Sequence, residues 1–182
     1  MTISLSNAGQ RFESVFQTFE GMPFRGVLMP VPEGSVSSMD FAVPRHILRV
    51  RKNSIANTGS HILAPNGQRF LMADHDIAIA DNEILYRTHR VFRLNKQVTW
   101  EREQAITDSL TGMKKGQGRV LLSNIWIMDE IVQREEIDLA FRVKEQVRRV
   151  LTGYDIKLND IVADMVVRRV DEVFGVKLLE LQ

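Results

Sequence analysis

At 182 residues, 44% apolar and 26% charged, the chain suits one folded domain, or one domain with an added arm, and is too apolar to be disordered. It has no cysteine, which excludes disulfides, thiolate metal sites and cysteine nucleophiles. A net charge of +1 speaks against a dedicated nucleic-acid binder, which usually carries a large basic excess.

Residues 1–10 show no basic run followed by an apolar core, and no stretch approaches the roughly 18 apolar residues of a membrane span, so a soluble, unexported protein is expected. Phe12, Val15, Phe16 and Phe19 then fall at the i, i+3, i+4, i+7 spacing of one helix face. Ser6 could cap such a helix at its start and Gly21 at its end. The stripe Phe12, Phe16 and Phe19 needs a surface to cover it, either the helix's own domain or a neighbouring subunit.

Pro23, Pro30, Pro32 and Pro44, with Gly21, Gly26 and Gly34, predict an extended arm or a floppy insertion over residues 21–44. The expected organisation is therefore a helix and arm over residues 1–44 and a β-rich domain over 45–182. The fold class this implies is mainly β, a small barrel or sandwich with an N-terminal helix and long extended loops.

From residue 46 onward short β-branched and apolar runs alternate with turn residues. Residues 47–51 read as a strand. Ala64-Pro65-Asn66-Gly67 reads as the turn of a hairpin leading into residues 68–73. Residues 84–94 form a longer strand, with Tyr86, Arg90 and Phe92 on one face and Arg87 and Arg93 on the other. Nine basic residues (Arg45, Arg49, Arg51, Lys52, Arg69, Arg87, Arg90, Arg93, Lys96) stand against four acidic ones in this region, which predicts a locally basic face.

The glycine- and lysine-rich residues 107–118 predict a mobile hairpin tip before a strand over 119–128. Residues 137–151 fit either period, and a strand is favoured because Gly153 follows soon after. The tail reads as a β-meander with turns at Leu158-Asn159-Asp160, Ala163-Asp164 and Phe174-Gly175. A faint internal echo sets His61-Ile62-Leu63-Ala64 against Asp160-Ile161-Val162-Ala163.

No catalytic constellation emerges. Asp74-His75-Asp76, with Asp81 and Glu83 nearby, alternates across a strand and misses the calcium-loop spacing, so a solvated turn is expected and no metal site. His46, His61, His75 and His89 lack paired ligand spacing and read as surface or edge residues. Glu135, Glu136 and Asp138 read as a solvated face, and residues 112–118 lack the ending of a phosphate loop. What remains are cations suited to phosphate backbone: Arg87, Arg90 and Arg93 on one strand, and Lys114, Lys115 and Arg119 at the second break.

Residues 149–182, RVLTGYDIKLNDIVADMVVRRVDEVFGVKLLELQ, resemble the head-completion, head-closure or stopper proteins of tailed-phage necks. The likeness lies in an apolar strand, the turn Asn159-Asp160-Ile161-Val162, a further turn and alternating strands. Ala64-Pro65-Asn66-Gly67-Gln68-Arg69-Phe70 has a similar look, whereas the N-terminal segment departs from the pattern. The resemblance implies a virion protein assembled in the host cytoplasm as a ring of six or twelve copies. Its partners would be the portal or adaptor protein, the tail terminator or tail tube protein, and phage DNA passing through the channel, with no membrane, cofactor or catalytic role. Lys114, Lys115 and Arg119 would then face the DNA channel. The alternative is an oligonucleotide-binding barrel with Tyr86 and Phe92 as stacking platforms. An enzyme built from unremarkable residues is a third reading.

Overall fold

The computed structural model describes residues 13–31, 46–80, 83–107, 109–138 and 141–182; within these, the side chains of 75–80, 83–85, 133–138 and 141–145 are not described. The regular elements are all strands: β1 (Ser14–Thr18), β2 (Pro23–Pro30), β3 (His46–Arg51), β4 (His61–Leu63), β5 (Arg69–Ala80) and β6 (Glu83–Arg93), then β7 (Lys96–Thr107), β8 (Lys114–Asp138), β9 (Phe141–Thr152), β10 (Ile161–Val162), β11 (Met165–Val173) and β12 (Val176–Leu181). The chain divides at Leu94 and Asn95. One unit comprises residues 1–94 with 174–176, the other 95–173 with 177–182.

Each unit holds a closed six-stranded barrel. The first runs β1-β2-β3-β6-β5-β4 and closes on itself, and the second runs β7-β8-β9-β12-β11-β10. These are one circuit used twice, with β7 to β12 standing in the order of β1 to β6. The mainly β class expected from the sequence is thus realised as two barrels.

The match extends to single hydrogen bonds. Ser60 N–H donates to Asn57 O at 3.0 Å as Asp160 N–H does to Lys157 O at 3.2 Å, and Gly59 N–H donates to Met72 O as Asn159 N–H does to Val167 O. Met72 N–H donates to Ser60 O, and Val167 N–H to Asp160 O. The side chains follow, since Asn57 N–H donates to Ser60 Oγ and Lys157 N–H to Asp160 Oδ2. The echo expected from the sequence is therefore real but one residue out of register: Ile62 corresponds to Val162, both fully buried, and Ser60 to Asp160.

Period-two burial explains the strands of the first barrel. Phe16, Phe24, Leu48, Val50, Ile62, Phe70, Met72 and Val91 fill its interior. Gly26 is required by close approach, because a Cβ there would lie 3.0 Å from Arg49 O. A cation from the last strand ties down the loop after the third in both barrels. In the first, Arg87 donates to Ser54 O (2.7 Å), Ala56 O (3.2 Å) and Asn57 Oδ1 (2.6 Å). In the second, Lys177 donates to Ile156 O at 3.3 Å and pairs with Asp155.

Several expectations are corrected here. The helix through Phe12 to Phe19 is replaced, over the described residues, by β1, in which Phe16 points inward and Val15 outward. Ring closure between β2 and β4 selects the extended form over the local helical period. Residues 23–30 are a strand paired with β3, Gly26 against Val50 through Pro30 against His46, so no boundary falls at 44/45. Phe12 and residues 32–45 lie outside the described residues. β7 was not anticipated from the sequence, and the break at 107–118 is shorter than expected because β8 already begins at Lys114.

His61, on β4, lies beside the Phe19 ring at 5.3 Å, and burial pushes its imidazole down to about 4, with Glu20 only partly opposing. A folded pKa below the ordinary 6.5 means that the unfolded chain takes the proton first as pH falls. The stability of the first barrel is therefore expected to be complete above pH 6.5 and to decline toward pH 4, by about 3 kcal/mol at most. Hydrogen exchange at pH 7 and pH 4.5 checks this, and His61→Phe should flatten the difference.

Candidate functional site

The second barrel carries a strand with no counterpart in length in the first among the described residues. β8 runs for 25 residues and changes partner partway: Lys114 to Ile127 pair with β7, and Met128 to Asp138 with β9. β7 is paired with β10 at Trp100 and Glu101 alone. Beyond that point β7 and the start of β8 continue as a two-stranded arm, turned through residues 109–113. β8 and β9 form a second long ribbon, Met128 against Leu151 out to Asp138 against Phe141.

A carboxylate sits at the base of each ribbon. Asp160, 2% exposed, accepts from Arg102 Nε (2.6 Å) and Nη2 (2.7 Å), from Trp100 Nε1 (2.9 Å) and from Lys157 N–H (2.9 Å). Burial raises its pKa, but the arginine, the backbone N–H and the indole outweigh burial and hold it below the usual carboxylate range. Because Arg102 is the first β7 residue past the β10 pairing, Asp160 fastens the arm's root to the barrel. At the second ribbon Asp129 is held by Arg148, through Nε at 2.7 Å and again through Nη2, with Lys96 at 3.5 Å. The Arg148 hydrogen bond leads the causes that lower the Asp129 pKa, against burial. Asn95 reinforces the site, exchanging two 2.9 Å bonds with the Asp129 backbone.

The arm itself is wet and apolar at once. Leu110 is 95% exposed and Met113 72%, both at its tip. Leu121 (54%), Ile106 (49%), Val120 (40%) and Leu122 (37%) lie along it. Lys114, Lys115 and Arg119 are exposed on β8, and Arg119 faces Glu103 across the ladder. Gly118 keeps room for Ile106, whose Cδ1 would meet a Cβ there at 2.4 Å.

No protein-family model, curated protein or solved structure matches the chain. The functional reading rests on these surfaces and on the sequence.

The remaining residues singled out from the sequence are dispersed. Arg87 is committed to the loop it caps. Arg90 pairs with Asp74 at 2.9 Å and lies 4.8 Å over the Phe174 ring, while Arg93 is exposed. Phe92, expected as a stacking platform, is 1% exposed and stacks on Phe174 at 6.2 Å, so it offers no face to a base. Tyr86 is half-buried, with the Arg49 guanidinium 6.0 Å from its ring. Phe16 is enclosed against Phe24, and Phe19 is half-buried beside His61.

His89, read as a surface residue, is fully buried, with Nδ1 3.0 Å from Ala73 O where a register shift interrupts β5. Asp74 serves Arg90, and the side chains of His75, Asp76, Glu83, Glu135, Glu136 and Asp138, like residue Asp81, lie outside the described set. Among the described residues no three histidines or carboxylates group as metal ligands, and no helix is long and apolar enough to cross a membrane.

Sequence reasoning missed Asp160 and Arg102 as a pair. The signal was present in the Asn-Asp-Ile-Val turn, but their separation of 58 residues hid the contact.

Proposed function

We propose that the chain is a structural virion protein that forms a ring of six or twelve copies at the head–tail junction of a tailed bacteriophage. It joins the portal or its adaptor to the tail terminator or tail tube and seals or lines the DNA channel. The observation that carries the reading is the pair of ribbons leaving a closed barrel. A closed barrel has no edge with which to associate, and a free two-stranded ribbon is barely stable alone, so such ribbons belong to an assembly. The resemblance of residues 149–182 to neck proteins supports the same reading, and those residues include β10, β11 and β12 of the second barrel.

The test is the mass and shape of the purified chain, alone and mixed with the portal-side partner. A ring by light scattering and negative-stain microscopy is expected. A chain that stays monomeric, joins no ring or virion and binds oligonucleotides tightly would sink the reading and leave the oligonucleotide-binding barrel, which the barrel fold itself supports.

In the ring, the exposed Lys114 and Lys115 meet DNA through its phosphates, without reading sequence. Replacing both with glutamine should reduce the slope of log K against log salt by about 2 for duplex DNA, since each phosphate that a lysine neutralises adds about 0.9 to it. Fluorescence anisotropy across a salt series measures it, and an unchanged slope would remove these lysines from the channel.

A further inference from the structure

We propose that the β7–β8 arm is the grip by which each copy of this chain holds the next, its tip seated on the first barrel of the neighbouring copy. This rests on the ring reading above and names the contact that builds the ring.

Among the described residues the two barrels differ at the hairpin between their first two strands. In the first barrel the corresponding strands, β1 and β2, are joined by residues 19–22 with no extension, and that barrel closes all the same. The arm is therefore unnecessary for closing a barrel of this circuit. Its exposed side chains Ile106, Leu110, Met113, Val120, Leu121 and Leu122 have no role in the interior.

Their combined exposure, spread over both faces of the ribbon, amounts to three or four whole residues, on the order of 600 Å². If each copy gives one arm and receives one, and the neighbour encloses both faces, a junction buries on the order of 1,200 Å² in total, the lower end of a specific interface. The backbone adds to this. Past Glu101, β7 is paired with β8 on one side only, and β9 reaches β8 only from Met128 onward, so both strands of the arm keep an open edge.

Asymmetry selects a second copy in head-to-tail order. Among the described residues this hairpin is extended on the second barrel and not on the first. A donor and an acceptor at different places make a heterologous contact, which generates a ring where the rotation between copies closes. The acceptor is the patch where the first barrel exposes its own apolar residues. Ile55 (45%) lines a cleft with Pro23 and Phe24, Met22 (51%) directly precedes it, and Val15 (49%) lies opposite Arg25 of the same cleft. A lipid surface fits less well, since it would take the tip and leave Val120, Leu121 and Leu122, nearer the barrel, still exposed.

Two variants of the full chain test this. Leu110→Asp with Met113→Asp should reduce the ring to single chains by light scattering, with the tryptophan-monitored unfolding midpoint unchanged. Because the chain has no cysteine, Leu110→Cys with Ile55→Cys should give, on oxidation, a ladder of covalent oligomers, while Leu110→Cys alone gives no more than dimers. A ring that survives the double aspartate change, or a missing ladder, overturns the grip and leaves the ring reading standing. A wild-type chain that is single at every concentration overturns the ring reading and the grip together. Tip-dependent binding to phosphatidylcholine–phosphatidylserine vesicles, with oligomer mass unaffected, overturns the grip and assigns the arm to lipid.

Discussion

Asp160→Ala is expected to destabilise the second barrel by about 3 kcal/mol, the lower end for breaking a buried ion pair because Arg102 keeps 30% of its side chain in solvent. The loss is larger than an isolated surface pair would give. One carboxylate here satisfies a bidentate guanidinium, the Trp100 indole and the Lys157 N–H, and its removal leaves all of them without that acceptor. Urea unfolding followed by tryptophan fluorescence measures the effect in the right place, since both tryptophans, Trp100 and Trp126, lie in the second unit.

The first barrel supplies a graded control. Asp160→Ser reproduces Ser60, so it should keep the turn bond to residue 157 while losing Arg102, and should fall between wild type and alanine. A variant series with no measurable change would show the clamp to be ornamental. The pH dependence has a definite sign. With the folded pKa held below the ordinary value near 3.8, the contribution is complete above that value and is lost as the pH falls below it. In the alanine variant that acid-dependent loss should shrink.

The second large effect is expected from Phe16→Ala, which should cost the first barrel about 3 to 4 kcal/mol, as for other enclosed phenylalanines truncated to alanine. Phe16 is 1% exposed, stacked on Phe24 at 5.6 Å, and lies on the strand that closes the barrel between β2 and β4. Amide exchange in β1 and β2 should accelerate by roughly a hundredfold or more, each factor of ten corresponding to about 1.4 kcal/mol. The outcome separates two roles for this residue. If Phe16 were a docking contact on a helix, the variant would keep its exchange protection and lose assembly; as part of the core it loses protection first.

The extent to which the sequence anticipates the fold follows the range of the interactions. Hairpins written by adjacent residues are legible: Ala64-Pro65-Asn66-Gly67 turns with Gly67 at φ 79°, and Ala163-Asp164 and Phe174-Gly175 turn with both residues at positive φ. The strands at 47–51 and 84–94 and the β-meander of the tail are legible for the same reason. β1 is not, because four apolar residues at helical spacing carry a local signal that pairing with β2 and β4 overrides. β7 is missed because its outer half is polar and exposed, held in place by its ladder with β8.

The candidate site divides along the same line. Lys114, Lys115 and Arg119 stand out as exposed cations in the sequence, and exposure is a property that composition near a turn can anticipate. Arg87, Arg90 and Phe92 stand out equally, yet the fold assigns them to a loop carbonyl cluster, to Asp74 and to Phe174. The arm's apolar residues and the Asp160 clamp needed three dimensions to appear.

By itself, then, the sequence determined the β class, the tight turns, the absence of thiol chemistry and a hint of repetition, because period, backbone conformation and residue identity are local. Only the tertiary structure decided that there are two barrels on one circuit, which cations the fold takes for its own loops, and that the β7–β8 hairpin and the β8–β9 ribbon outgrow their barrel. Those facts depend on contacts between residues tens of positions apart, and nothing local marks which distant partner will close a ring of strands.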